Sequence, residues 1–146
     1  MGLIDLASSN SFWRGIDYYQ SKKVKNVKKT SDLEFDSIVS GTEEYMVHID
    51  LNHPRKSTCT CPFAEGRRVI CKHMVATYFT IYPEEAERII KEQEEYEEEQ
   101  ERIFDEHLNE VREYVDSLTE DEVRAMLINK LMDEWYDDDD DDYYGW

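Results

Sequence analysis

Cys59-Thr60-Cys61, nine residues, then Cys71-Lys72-His73 is the stretch on which the fold of this chain turns. It uses all three cysteines and one of the four histidines among 146 residues. Two close ligand pairs separated by a loop can close a tetrahedral site around Zn²⁺, which favours four thiolate or imidazole ligands about 2.0–2.3 Å away. Four protein ligands leave no position for a reacting water, so the pattern reads as a structural zinc site and not a catalytic one. Other chemistries fit less well. A disulfide framework would leave one thiol over, and no secretory signal opens the chain. Iron–sulfur sites usually take four cysteines, and a C-x-H pair favours zinc. Free or buried cysteines would rarely all fall into one ligand pattern.

CTCP followed by CKH resembles the SWIM-type zinc finger, whose signature is C-x-C, a variable loop, then C-x-H. Upstream residues fit the same family: Arg14-Gly15, Tyr18-Tyr19 and the run Tyr45-Met46-Val47-His48-Ile49. The resemblance covers residues 12–82. It implies a ββα zinc fold, found alone or attached to helicase-like and transposase-related proteins, with roles in binding DNA or protein. It also implies Cys59, Cys61, Cys71 and His73 as the metal ligands.

Working outward, residues 44–51 alternate cleanly, with Tyr45, Val47, Ile49 and Leu51 facing a core and Glu44, Met46, His48 and Asp50 facing away. Asn52-His53-Pro54 ends that strand, because proline has no N–H for a ladder. Residues 33–39 read as a second strand and 22–29, KKVKNVKK, as an edge strand whose lysines discourage edge-to-edge pairing. Phe12, Trp13, Ile16, Tyr18 and Tyr19 fit a short helix or turn over the sheet. Cys59 and Cys61 fall in a knuckle, and Cys71 and His73 open a helix over 71–82. The expected fold is α+β: a small three-stranded antiparallel sheet with a zinc knuckle and helix, followed by an acidic α-helical appendage.

The domain reading has four parts. Residues 1–11 are expected as a flexible arm, 12–82 as the zinc-binding module, 83–136 as an acidic helical region and 137–146 as a disordered acidic tail. Pro83 restarts a helix. Ile103, Phe104, Leu108, Val111, Tyr114 and Val115 form an apolar stripe. Thr119, with Glu122 three residues on, is a capping box opening a last helix whose Val123, Met126, Leu127, Leu131 and Met132 should turn inward.

Charge divides the chain in the same place. Residues 1–82 carry eleven Lys and Arg against nine Asp and Glu, and residues 83–146 carry six against twenty-six, which together give the net charge of −18. In the first half, Lys22, Lys23, Lys25, Lys28 and Lys29 with Arg55, Lys56, Arg67, Arg68 and Lys72 could converge on a phosphate-contacting surface. Exposed aromatics nearby could stack on bases; the bland alternative is that the lysines solubilise an edge strand and the aromatics are core. The acidic half could gate that surface, mimic nucleic acid in a partner's groove, or only keep the chain soluble.

No phosphate loop, nucleophile elbow or H-E-x-x-H motif occurs, and the sequence does not argue for an enzyme. No apolar run approaches the roughly 20 residues needed to span a bilayer. The cysteines point to a reducing, cytoplasmic setting. The expected function is a zinc-binding adaptor in a nucleic-acid transaction. Its partner is DNA, RNA or a nucleic-acid-associated protein such as a helicase or polymerase, met through the basic half. The alternative is a protein-only or nucleic-acid-mimicking device whose acidic half is the working surface.

Overall fold

Tyr45, Val47 and Ile49 all turn into the core, as their alternation requires, while Met46 between them stays exposed. They belong to the third strand of a four-stranded antiparallel sheet. In chain order its strands are β1 (Val24–Ser31), β2 (Glu34–Ser40), β3 (Glu44–Asp50) and β4 (Thr58–Cys59), and they lie side by side in that order. The computed structural model describes residues 2–138. The α+β class expected from sequence holds, with one strand more than expected. β4 is two residues long and pairs Cys59 with Val47 and Thr58 with His48. Two residues give no alternation to read, so this strand leaves no sequence signal.

β1 starts two residues later than expected and carries a bulge between Lys25 and Lys28. Asn26 sits there at φ 55°, a left-handed conformation that asparagine tolerates better than most residues. Register then decides which face each residue takes. Val24, Val39 and Tyr45 align on the core side, and Lys28, Asp36, His48 and Thr58 align on the other.

Two helices cover the core side. The first, α1 (Ser9–Gln20), is capped by the Ser8 hydroxyl, which accepts from the Ser11 N–H at 3.1 Å. The second, α2 (Lys72–Ile81), buries Met74, Val75 and Phe79 completely. The two approach closely at Gly15, where a Cβ would lie 2.4 Å from a Val75 methyl and 3.0 Å from the Lys72 carbonyl. Phe12 and Tyr19 pack their rings on Phe79, whereas Trp13 remains exposed. A buried hydroxyl chain ties β2 to α2. The Ser37 and Thr77 hydroxyls are 2.7 Å apart, and Thr77 donates to the His73 carbonyl at 2.9 Å.

The opening segment is not an arm. Leu3 is 1% exposed and sits in the core, and a short 3-10 turn over Ile4–Leu6 leads into α1. Apolar burial wins there because Leu3, Ile4 and Leu6 all pack against that core.

A long helix, α3 (Pro83–Ser117), restarts at Pro83 as expected, and its first turns belong to the same compact unit, Met1–Gln93. Ala86 is fully buried, Tyr78 donates to Glu85 at 2.7 Å and Tyr19 to Glu87 at 3.1 Å. Burial and the Glu85 carboxylate both hold the Tyr78 hydroxyl above its ordinary pKa.

The second unit, Glu94–Trp146, comprises the rest of α3 and a last helix, α4 (Glu120–Asp138). Thr119 caps α4 as its spacing indicates, accepting from the Glu122 N–H at 3.2 Å. The α4 residues expected to turn inward do not: Val123, Met126, Leu127, Leu131 and Met132 are all exposed, and so are Ile103, Phe104, Val111, Tyr114 and Val115 of the α3 stripe. Periodicity sets which residues share a face, but it does not supply a surface to cover it. The aspartate tail beyond Asp138 lies outside the described residues. No helix among the described residues is long and apolar enough to cross a membrane.

Candidate metal centre

β4, paired to β3, carries the first ligand, a turn carries the second, and the start of α2 carries the other two. Cys59 ends β4, held in register by the Thr60 N–H on the Met46 carbonyl at 3.1 Å and the Met46 N–H on the Thr60 hydroxyl at 3.0 Å. Cys61 opens a tight turn whose Ala64 and Glu65 N–H groups return to its carbonyl at 3.1 and 2.9 Å. Cys71 is the N-cap residue of α2, with extended backbone, and His73 sits in the first turn behind it.

These elements bring one donor atom from each of Cys59, Cys61, Cys71 and His73 within 4.8 Å of one another, all four residues buried. His73 Nδ1 is 3.6 Å from the Cys59 sulfur and 3.8 Å from the Cys71 sulfur. Bonds of about 2.0–2.3 Å to a tetrahedral ion imply ligand-to-ligand edges of roughly 3.5–3.8 Å. These two separations match the edges of a zinc tetrahedron, and three thiols with one imidazole are a zinc donor set. All four ligands proposed from sequence meet.

Protonation fits the same chemistry. Without a cation, contact with Cys71 and burial push the Cys59 thiol well up, and burial does the same for Cys61. Cys71 goes the other way, chiefly because Cys59 donates to it, helped by His73 and the Met74 N–H. Its place at the start of α2 puts the positive end of the helix dipole beside that thiolate. Backbone N–H groups of Cys61 and Ala64 likewise favour the thiolates of Cys59 and Cys61. A divalent cation supplies what all three thiolates need at once.

The His73 ring is set by its neighbours. It lies between Tyr45, centroids 4.7 Å apart, and Tyr18, 5.3 Å away and edge-on. Its Nε2 is buried without a hydrogen-bond partner among the described residues, so Nδ1 is the nitrogen turned to the sulfurs. Gly41 allows this arrangement, since a Cβ there would meet the Tyr45 ring at 2.9 Å and His73 Nε2 at 3.4 Å.

The cations expected as one patch fall into three places. Lys23 and Lys72 both lie over the Tyr18 ring, at 4.6 and 5.0 Å, with Lys22 in the preceding turn at φ 54°. Lys25 pairs with Glu44, while Lys28 stands opposite Asp36 and Lys29 opposite Phe35 on the edge strand. Arg67 and Arg68, with Arg55 and Lys56, line a groove of about 450 Å³ beside the knuckle, where Glu65 is the one acidic neighbour. The bulge in β1 and the fold of the knuckle set the neighbours of these cations, and neither is visible in residue order.

Two further residues stand at the site: Arg14, noted above only as part of the family resemblance, and Phe63, which the sequence patterns above do not single out. Arg14 lines a cleft of about 250 Å³ against Cys61, Cys71 and His73, and Phe63 stands exposed at the same cleft with the Arg67 guanidinium 5.1 Å above its ring. A large aromatic directly after Cys61-Pro62, in a knuckle with little room to bury it, is the signal that points to Phe63.

Residues 45–82, which hold β3, the knuckle and α2, match the family model of the SWIM zinc finger. Neither a curated protein nor a solved structure matches the chain. The match covers the four clustered ligands and the strand and helix that position them. Residues 45–82 thus match a SWIM-type zinc finger, with Cys59, Cys61, Cys71 and His73 clustered as a donor set that fits Zn²⁺.

Proposed function

We propose that the zinc module is a nucleic-acid-binding adaptor without chemistry of its own, and that the knuckle groove is where phosphates sit. The observation that carries this reading is the groove's lining: Arg55, Lys56, Arg67 and Arg68 against the single acid Glu65. In a chain of net charge −18, four cations converging on one concave surface are a local exception to the overall field. Arginine forks suit phosphate oxygens, and the Phe63–Arg67 stack beside the groove offers a surface for an unpaired base. Zinc holds the knuckle in shape, so the metal acts on binding through geometry. A cytoplasmic setting suits three reduced cysteines.

The six aspartates of 137–142 compete for the same cations in this reading, an autoinhibitory role that weakens binding at low salt. The test is a titration of labelled single- and double-stranded DNA and RNA with the zinc-loaded chain and with a version ending at Tyr136. Binding that strengthens as salt falls, is strengthened further by the truncation, and is lost in Arg67→Glu/Arg68→Glu supports the reading. Each phosphate contact removed should flatten the salt slope by about one. Binding untouched by the charge reversals, or none in either version at low salt, overturns it.

A further inference from the structure

We propose that α4 is a docking helix which lays Ile128, Leu131, Met132 and Trp135 into an apolar groove on a basic protein. This goes beyond the nucleic-acid reading and does not depend on it. The four residues follow the i, i+3, i+4, i+7 spacing of helices that anchor in grooves. With Leu127 they span about two-fifths of the circumference of the helix, and the opposite arc holds Asn129, Lys130, Asp133 and Glu134 together with Val123 and Met126 of the preceding turns. Leu127, Ile128, Leu131 and Trp135 are each 55–59% exposed. A contiguous apolar face of large side chains, rimmed by charge, is the form of an interaction surface.

Charge decides the occupant. Residues 94–146 contain twenty-two Asp and Glu against four Lys and Arg. Three of those four cations are already engaged within their own helices: Arg102 with Glu99 and Glu106, Arg124 with Glu120, and Lys130 with Glu134. The unit that carries the apolar face is therefore strongly acidic in composition. A second copy would bring the same negative field against itself, and surface-lying membrane helices carry Lys and Arg on their polar face, not carboxylates. A protein groove rimmed by Lys and Arg satisfies both the apolar face and its rim.

The experiment immobilises the zinc-loaded full chain beside its Leu131→Asp and Trp135→Ala variants and exposes each to extract of the source cells. Any protein retained by the parent alone is purified and titrated against all three in solution. One-to-one binding by a protein of pI above about 9, weakened by salt, is expected. Each variant should lose about 30-fold or more in affinity, as truncating a central aromatic or aliphatic anchor does. Unchanged helical circular dichroism in the variants separates a lost contact from a lost helix. An acidic partner, equal binding by the variants, or no protein retained by the parent overturns the proposal. Sedimentation of the full chain at low and high salt should show a monomer. A dimer that Leu131→Asp abolishes would put a second copy in that place and overturn the basic partner.

Discussion

The two units of this chain treat their apolar residues in opposite ways. In Met1–Gln93, Leu3, Ile49, Met74, Val75 and Phe79 are buried around a metal site. In Glu94–Trp146, residues of the same kinds, Phe104, Leu127, Ile128 and Leu131, lie exposed on helices. Apolar content is therefore not what separates a core from a surface. The first unit has several elements to fold together and four ligands that close on one ion. The second has helical periodicity, intrahelical ion pairs such as Arg102 with Glu99 and Glu106, and a cap at Thr119. Those devices stabilise a helix locally without asking anything of its apolar face.

Removing a ligand should disturb this contrast most. His73→Ala leaves three buried thiols with no fourth donor, and structural zinc in finger peptides contributes about 10–16 kcal/mol of apparent binding energy. That is comparable with the roughly 5–15 kcal/mol of a whole domain, so the variant should lose the cooperative melt of the first unit. Near-ultraviolet circular dichroism and zinc content report the loss, while much of the helical signal should survive from residues 94–138. A cooperative, zinc-free melt in His73→Ala would show that the metal is dispensable.

A smaller change probes the same difference through packing. Phe79 is fully buried among Phe12, Tyr19 and Tyr78, and Phe79→Ala should cost about 3–5 kcal/mol in denaturant unfolding. Leu127→Ala removes apolar volume from an exposed face and should stay within about 0.5 kcal/mol in the isolated chain. Equal costs would mean that the α4 face is covered.

The smallest effect concerns His48, on the outer face of the sheet. Its Nδ1 is 2.5 Å from Asp36 and its Nε2 is 3.3 Å from Glu34, with Lys28 opposite Asp36 on the neighbouring strand. The hydrogen bond to Asp36 raises its pKa above the ordinary histidine value, against a smaller lowering by burial. A raised pKa in the folded state adds stability that is fully present below the unfolded value of about 6.5 and is lost as pH rises through the folded value. The His48 side chain is 34% exposed, so solvent screening limits the effect to about a few tenths of a kcal/mol. An NMR titration should find the His48 pKa lowered by Asp36→Asn, and no movement would mean that the pairing does not set it.

Much of this is legible in the sequence alone. Ligand spacing points to the metal, alternation to β3, and Thr119 to the start of α4. What the sequence hides depends on contacts distant along the chain. Thr58–Cys59 becomes a strand only because β3 offers it an edge, and Leu3 becomes core only by meeting residues far from it in sequence. The cations show the same limit. Lys25 and Arg67 look alike in composition, but Glu44 pairs with one, and the knuckle turns the other into a groove. The apolar face of α4 is readable as a face, while its exposure depends on the surroundings the fold gives it.

Whether zinc folds the first unit and leaves the second alone is tested most directly by residue-resolved hydrogen exchange, with and without a zinc chelator. One zinc per chain is expected, with strong protection in β2, β3 and α2 that collapses on chelation. Exchange in 94–138 should be the same in both states. Protection of β2, β3 and α2 that survives the loss of zinc would refute the dependence of this fold on its metal.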